Sequence, residues 1–82
     1  VAECNNIELY EVLTKALSHP KDYPSPNDSY FDKTKDIVKI CVKDKEFKTD
    51  FLEEKNSENS YLSANACEIL KEEKLVKDCK KD

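Results

Sequence analysis

Apolar residues along this chain recur mostly at intervals of three and four, and they gather most densely at residues 36–43, Asp-Ile-Val-Lys-Ile-Cys-Val-Lys. That run sits inside a predicted helix over residues 29–44, with Phe31, Thr34, Val38, Cys41 and Val42 on one face and Ile37 and Ile40 at its edges. Ser29 is placed as its N-cap, with Asp32 three residues on. A strand competes here, because Ile37, Val38, Ile40 and Val42 are β-branched. A lone strand would leave its backbone unpaired, and no turn partner or second strand is in reach, so helix is preferred. The run is expected to hold the centre of the core.

The same periodicity organises the rest. Residues 5–18 predict an amphipathic helix burying Leu9, Val12, Leu13, Ala16 and Leu17, capped by Asn5 with Glu8 as capping-box partner. It stops at Ser18-His19-Pro20, since the residue before a proline leaves the α region. Pro20, Pro24 and Pro26 make residues 19–28 a stiff loop. A third helix is expected over residues 45–55, capped by Asp44 and burying Phe47, Phe51 and Leu52. After a polar connector at 56–59, a fourth runs over 60–72 with Leu62, Ala66, Ile69 and Leu70 inward. A last short helix is expected over 74–80, carrying Leu75, Val76 and Cys79. The fold class is therefore all-α: one domain, 1–82, of four to five short helices.

Composition shows how thin that core is. Leu, Ile, Val and Phe number 19 of 82 residues, and 39% of the chain is charged. A chain this short buries only about 60% of the surface it exposes unfolded, so cross-links matter. Four cysteines, at 4, 41, 67 and 79, supply two. Their spacing contains no C-x-x-C pair and there is one histidine, which argues against zinc. An even cysteine count in a short chain is the pattern of an extracellular disulfide framework. The opening Val1-Ala2-Glu3-Cys4, with no methionine anywhere, reads as a mature N-terminus exposed by signal-peptide cleavage. Antiparallel packing of the first two helices sets Cys4 beside Cys41, and a hairpin breaking near Glu73 sets Cys67 beside Cys79. The nested pairing Cys4–Cys79 with Cys41–Cys67 stays open as the alternative.

Several functions are disfavoured by what is missing. Without glycine there is no phosphate loop or nucleophile elbow. All 14 basic residues are lysine, and the net charge is −4. Both weigh against nucleic acid and anionic membrane surfaces as partners. No EF-hand loop is present, and no metal or other cofactor is expected. His19, at a helix end, has no nucleophile assigned to it, and catalysis is not expected. The candidate binding features are two charge stripes at helical spacing. Glu46, Asp50, Glu53 and Glu54 make an acidic face, and Lys71, Lys74, Lys77 and Lys81 a basic one. Segregating like charges at i,i+4 costs stability, and steering toward a protein partner would offset it. Tyr23, outside any helical stripe, is a candidate interface anchor. Asn27-Asp28-Ser29 is an N-glycosylation sequon in an exposed loop.

Cys4, Cys41, Cys67 and Cys79 on a short, lysine-rich and acid-rich helical chain resemble the small secreted salivary proteins of blood-feeding flies. The likeness is nearest to those of sand flies that inhibit the classical complement pathway and looser to four-cysteine helical proteins of mosquito saliva. The expected protein is a secreted, monomeric, non-catalytic binding protein, and the resemblance implies that its target is a host plasma protein, with complement first and coagulation second. The alternative is a small helical carrier of an apolar ligand, as in insect odorant-binding proteins. Those carry six cysteines with an internal C-x-x-x-C, which this chain lacks.

Overall fold

A computed structural model of the protein describes residues 4–79. Four α-helices run in order: α1 (Ile7–Leu17), α2 (Phe31–Cys41), α3 (Lys45–Leu52) and α4 (Ser60–Glu72). A 3-10 turn, Glu53–Asn56, tightens the end of α3. No strand occurs among the described residues. Both Cys4–Cys41 and Cys67–Cys79 are disulfides, with Cα atoms 5.4 and 5.6 Å apart. The protein is all-α and tied by two disulfides.

The α2 stripe is buried as its spacing predicts: Phe31, Thr34, Val38, Cys41 and Val42 all face inward, and Ile37 and Ile40 lie outside. The element that touches all the others, however, is α4, which packs against α1, α2, α3 and the 3-10 turn. Ala66, Cys67, Ile69 and Leu70 on α4 are almost wholly covered, meeting Leu17, Val38 and Phe51 in one core. The densest apolar run therefore supplies one wall of the core, and α4 runs through its middle.

On α1 the buried arc is rotated from the expected one. Leu13 and Leu17 are buried and Leu9 and Tyr10 partly so, while Val12 is 63% exposed. Tyr10 extends the arc at the edge opposite Val12, which turns the inward face away from Val12 by about half a residue step. The cap also moves. Asn6, extended at φ −103° and ψ 117°, accepts from the Leu9 N–H at 3.2 Å, which leaves Asn5 outside the helix. At the start of α2, Ser29 Oγ accepts from the Phe31 N–H at 3.2 Å, one residue before the geometric cap Tyr30. Asp44 caps α3 as expected, accepting from the Glu46 and Phe47 N–H groups. Asn59 caps α4, accepting from the Leu62 N–H at 3.0 Å.

The expected helix over 74–80 does not form within the described residues. Instead α4 closes with a Schellman motif. The Leu75 N–H donates to the Leu70 carbonyl at 2.9 Å and the Lys74 N–H to the Lys71 carbonyl at 3.0 Å. The motif needs a left-handed residue, and Lys74 takes that position at φ 61° in a chain without glycine. Leu75 then turns back onto the core, and Cys79 is tied to Cys67.

A charge ladder joins α2 to α4. Lys35 and Lys39, one turn apart, both reach Glu72, at 2.7 and 3.0 Å. One turn earlier on α4, Glu68 pairs with Lys21 from the proline loop. The Lys21 and Lys35 ammonium groups lie 5.3 and 5.7 Å from the centre of the Phe31 ring, a cation–π arrangement over a buried aromatic.

Candidate functional site

Two helix starts face each other across the surface. The Cys4–Cys41 bond draws the segment before α1 to the end of α2, and α3 begins four residues after Cys41. Asn5, with its amide nitrogen turned to the carboxylates, donates to Glu46 Oε2 at 3.1 Å and Asp44 Oδ1 at 3.2 Å. Between the two starts lies an open groove of about 620 Å³, lined by Cys4, Asn5, Asn6, Ile7, Tyr10, Lys45, Glu46, Phe47, Thr49 and Asp50.

Its floor is aromatic and its α3 wall is polar. Tyr10 meets Phe47 edge to face, with centroids 5.4 Å apart and planes at 73°, and Phe47 stacks on Phe51. The Tyr10 hydroxyl donates to Glu54 Oε2 at 3.0 Å. Burial, and then the neighbouring charge of Glu54, pushes the Tyr10 phenol well above its ordinary value, with Asp50 and Glu53 adding to the effect. Ile7, 76% exposed, contributes an aliphatic edge. Lys45, Glu46 and Asp50 line the groove from the α3 side.

The acidic stripe is partly gathered here. Glu46 and Asp50 line the groove, Glu54 holds Tyr10 from behind, and Glu53 is exposed on the 3-10 turn. The basic stripe is not assembled as one helical face. Lys71 is exposed on α4, Lys74 is the left-handed residue of its terminus, and Lys77 is exposed beyond it. A helical period cannot carry through that break, and Lys81 lies outside the described residues. Tyr23 has a partner within its own loop: its ring stacks on His19, with centroids 4.1 Å apart and planes at 15°, while it stays half exposed. The Tyr23–Pro24 bond is cis. Asn27 is exposed in a turn closed by the Asp28 N–H on the Ser25 carbonyl at 3.1 Å. The sequon hydroxyl of Ser29 donates to the Lys21 carbonyl.

Sequence reasoning missed Asn5, Asn6, Ile7 and Tyr10 as groove residues. The available signal was polar and apolar residues alternating around the helix start, next to a cysteine expected to reach Cys41. No group of three or more His, Cys, Asp or Glu residues placed to hold a metal ion occurs among the described residues. No helix among them is long and apolar enough to cross a membrane. Comparison of the chain with protein-family models, curated proteins and solved structures finds no match.

Proposed function

We propose that this chain is a secreted, non-catalytic binding domain that acts as a monomer by occupying the surface of another protein. The observation that carries the reading is the groove between α1 and α3: concave, aromatic at its floor, and lined on one wall by two carboxylates. Grooves of this make-up recognise ligands by shape with a few placed polar groups. The two disulfides suit an oxidising compartment, where a thin core needs staples. The resemblance to fly salivary proteins makes a host plasma protein the target, with the classical complement pathway first and coagulation second.

A serum haemolysis assay with the oxidised protein tests this. Inhibition is expected to saturate at a fixed molar ratio, without turnover. No change in haemolysis or in clotting time at micromolar protein refutes the proposal. The volume of the groove also lies within the range of small-ligand sites, which keeps an apolar carrier as the second reading. A carrier displaces a bound fluorescent apolar probe and leaves haemolysis unchanged.

A further inference from the structure

We propose that the α1–α3 groove takes a basic segment of a partner protein, seating a Lys or Arg side chain against Glu46 and Asp50 and a neighbouring aliphatic side chain on Ile7 and Tyr10. This rests on the protein-binding reading above and names the chemistry of the partner at that site.

Charge complementarity selects the occupant. Glu46 and Asp50 are one turn apart on α3, so both carboxylates edge the same cavity. Among the described residues the Asp50 carboxylate takes part in no hydrogen bond or ion pair, and the Glu46 carboxylate receives only the Asn5 amide. Among the described residues Lys45 is the one lining cation against the two carboxylates of Glu46 and Asp50, which leaves their side of the groove net negative. The field reaches the floor, since Asp50, Glu53 and Glu54 all act to hold the Tyr10 proton in place. Because the Tyr10 hydroxyl is engaged by Glu54, the residue offers the groove its ring more than its donor. With the exposed side chain of Ile7 on the rim, the surface has an apolar half and an anionic half. The stem of a Lys or Arg side chain is apolar and its head cationic, which matches both halves. A net charge of −4 favours approach of such a segment at low salt.

The probe is a capped peptide alternating leucine and arginine, with the leucine–glutamate peptide as control, titrated into the oxidised protein by calorimetry and amide NMR. The arginine peptide is expected to bind and to shift the Ile7, Tyr10 and Thr49 amides, and the glutamate peptide to do neither. Glu46→Gln combined with Asp50→Asn is expected to weaken binding about tenfold. Ile7→Ser, at an exposed position that spares the fold, weakens it as well, and Glu58→Gln leaves it unchanged. Equal binding of both peptides, shifts elsewhere, or a double variant that binds like wild type overturns the proposal. So does self-association that the double variant abolishes, which assigns the groove to a second copy. So too does equal or tighter binding of phenethylamine, which assigns it to a small amine. The haemolysis assay separates the two readings. If the double variant loses the peptide yet inhibits as wild type does, the groove takes basic segments but is not the inhibitory face, so the assignment of the plasma target to this groove falls while inhibition itself stands. If the peptide binds with the expected charge dependence and haemolysis is untouched, the site stands and the plasma target falls.

Discussion

The buried amide of Asn65 finishes a helix to which it does not belong: its Nδ2 donates to the Leu17 carbonyl at 2.9 Å. The same nitrogen reaches the His19 carbonyl at 3.0 Å. The last carbonyls of α1 have no partner within the helix. Ser18-His19-Pro20 cannot extend it to supply one. Asn65 on α4 supplies one from across the core, at 4% exposure. Asn65→Leu keeps the branch at Cγ, adds bulk, and leaves both carbonyls short of a donor. It is expected to cost about 3 kcal/mol, read from urea unfolding, because each unsatisfied buried group costs about 1–3 kcal/mol. An unchanged midpoint would show that water replaces the amide without loss.

Lys74 tests the end of α4 in the opposite direction. A left-handed lysine costs about 1 kcal/mol that glycine does not incur. Lys74→Gly is therefore expected to stabilise the protein by up to about 1 kcal/mol, offset in part by the freer unfolded chain. A helix running through residue 74 would instead be destabilised by glycine. The sign of the change in urea midpoint thus decides between the two backbones.

These residues show which parts of the fold could be read from the chain. The α2 stripe was legible because period and burial agree over five positions, and Cys4–Cys41 was the favoured pairing because two helix lengths bring those ends together, whereas Cys67–Cys79 forms without the second helix of the expected hairpin. The exposure of Val12 was not legible, since the arc turns toward Tyr10 on its opposite edge, and an amphipathic tyrosine gave no sign of facing inward. Asn65 lies between Leu62 and Ile69 on the buried face of α4, but its partners are backbone carbonyls 48 and 46 residues away. The end of α4 at Glu72 was legible, but the left-handed turn at Lys74 carries no glycine to announce it, and a further helix was expected after it. The acidic half of the groove was visible as helical spacing. Its concavity was not, because it arises where two helix starts distant in sequence are drawn together.

The two disulfides are expected to differ in worth. In the loop-entropy account the stabilisation grows with the loop closed. Cys4–Cys41 closes 37 residues and Cys67–Cys79 closes 12, giving about 4 and about 3 kcal/mol. Removing the first as a double serine variant should therefore be the more damaging, and it should also release the α1 side of the groove. Paired unfolding curves check the order. Loss of arginine-peptide binding in the Cys4→Ser, Cys41→Ser variant, where still folded, checks the link to the groove.

Tyr10 gives a prediction for alkaline pH. Its raised value means that the fold favours the neutral phenol. Its contribution to stability is therefore full below 10.0 and is lost as the pH rises through the folded-state value. The difference between the spectrophotometric titrations of wild type and Tyr10→Phe isolates this group, and its midpoint is expected above 10.0. Glu54→Gln should lower that midpoint without returning it to normal, because burial is the larger cause. A midpoint at 10.0 in wild type would mean that the ring is not held at the floor of the groove.

Glu72 gives the complementary prediction for acid. Hydrogen bonds from Lys35 and then Lys39 hold its carboxyl below the ordinary 4.5, and the bond to Glu72 raises Lys35 above 10.5. A carboxylate with a lowered folded-state value stabilises fully above 4.5, and that contribution fades as the pH falls through the lowered value. The raised lysine stabilises fully below 10.5 and stops doing so as the pH rises through its folded-state value. The ladder between α2 and α4 is thus at full strength across the neutral range and fails at both ends. All three side chains are partly exposed, so salt screens the effect and it is expected to be small. Glu72→Gln should be less stable than wild type at neutral pH and low salt, and the gap should close both on acidification and on adding salt. A gap that survives below pH about 2, where carboxylates are protonated, would mean that Glu72 acts through packing rather than charge.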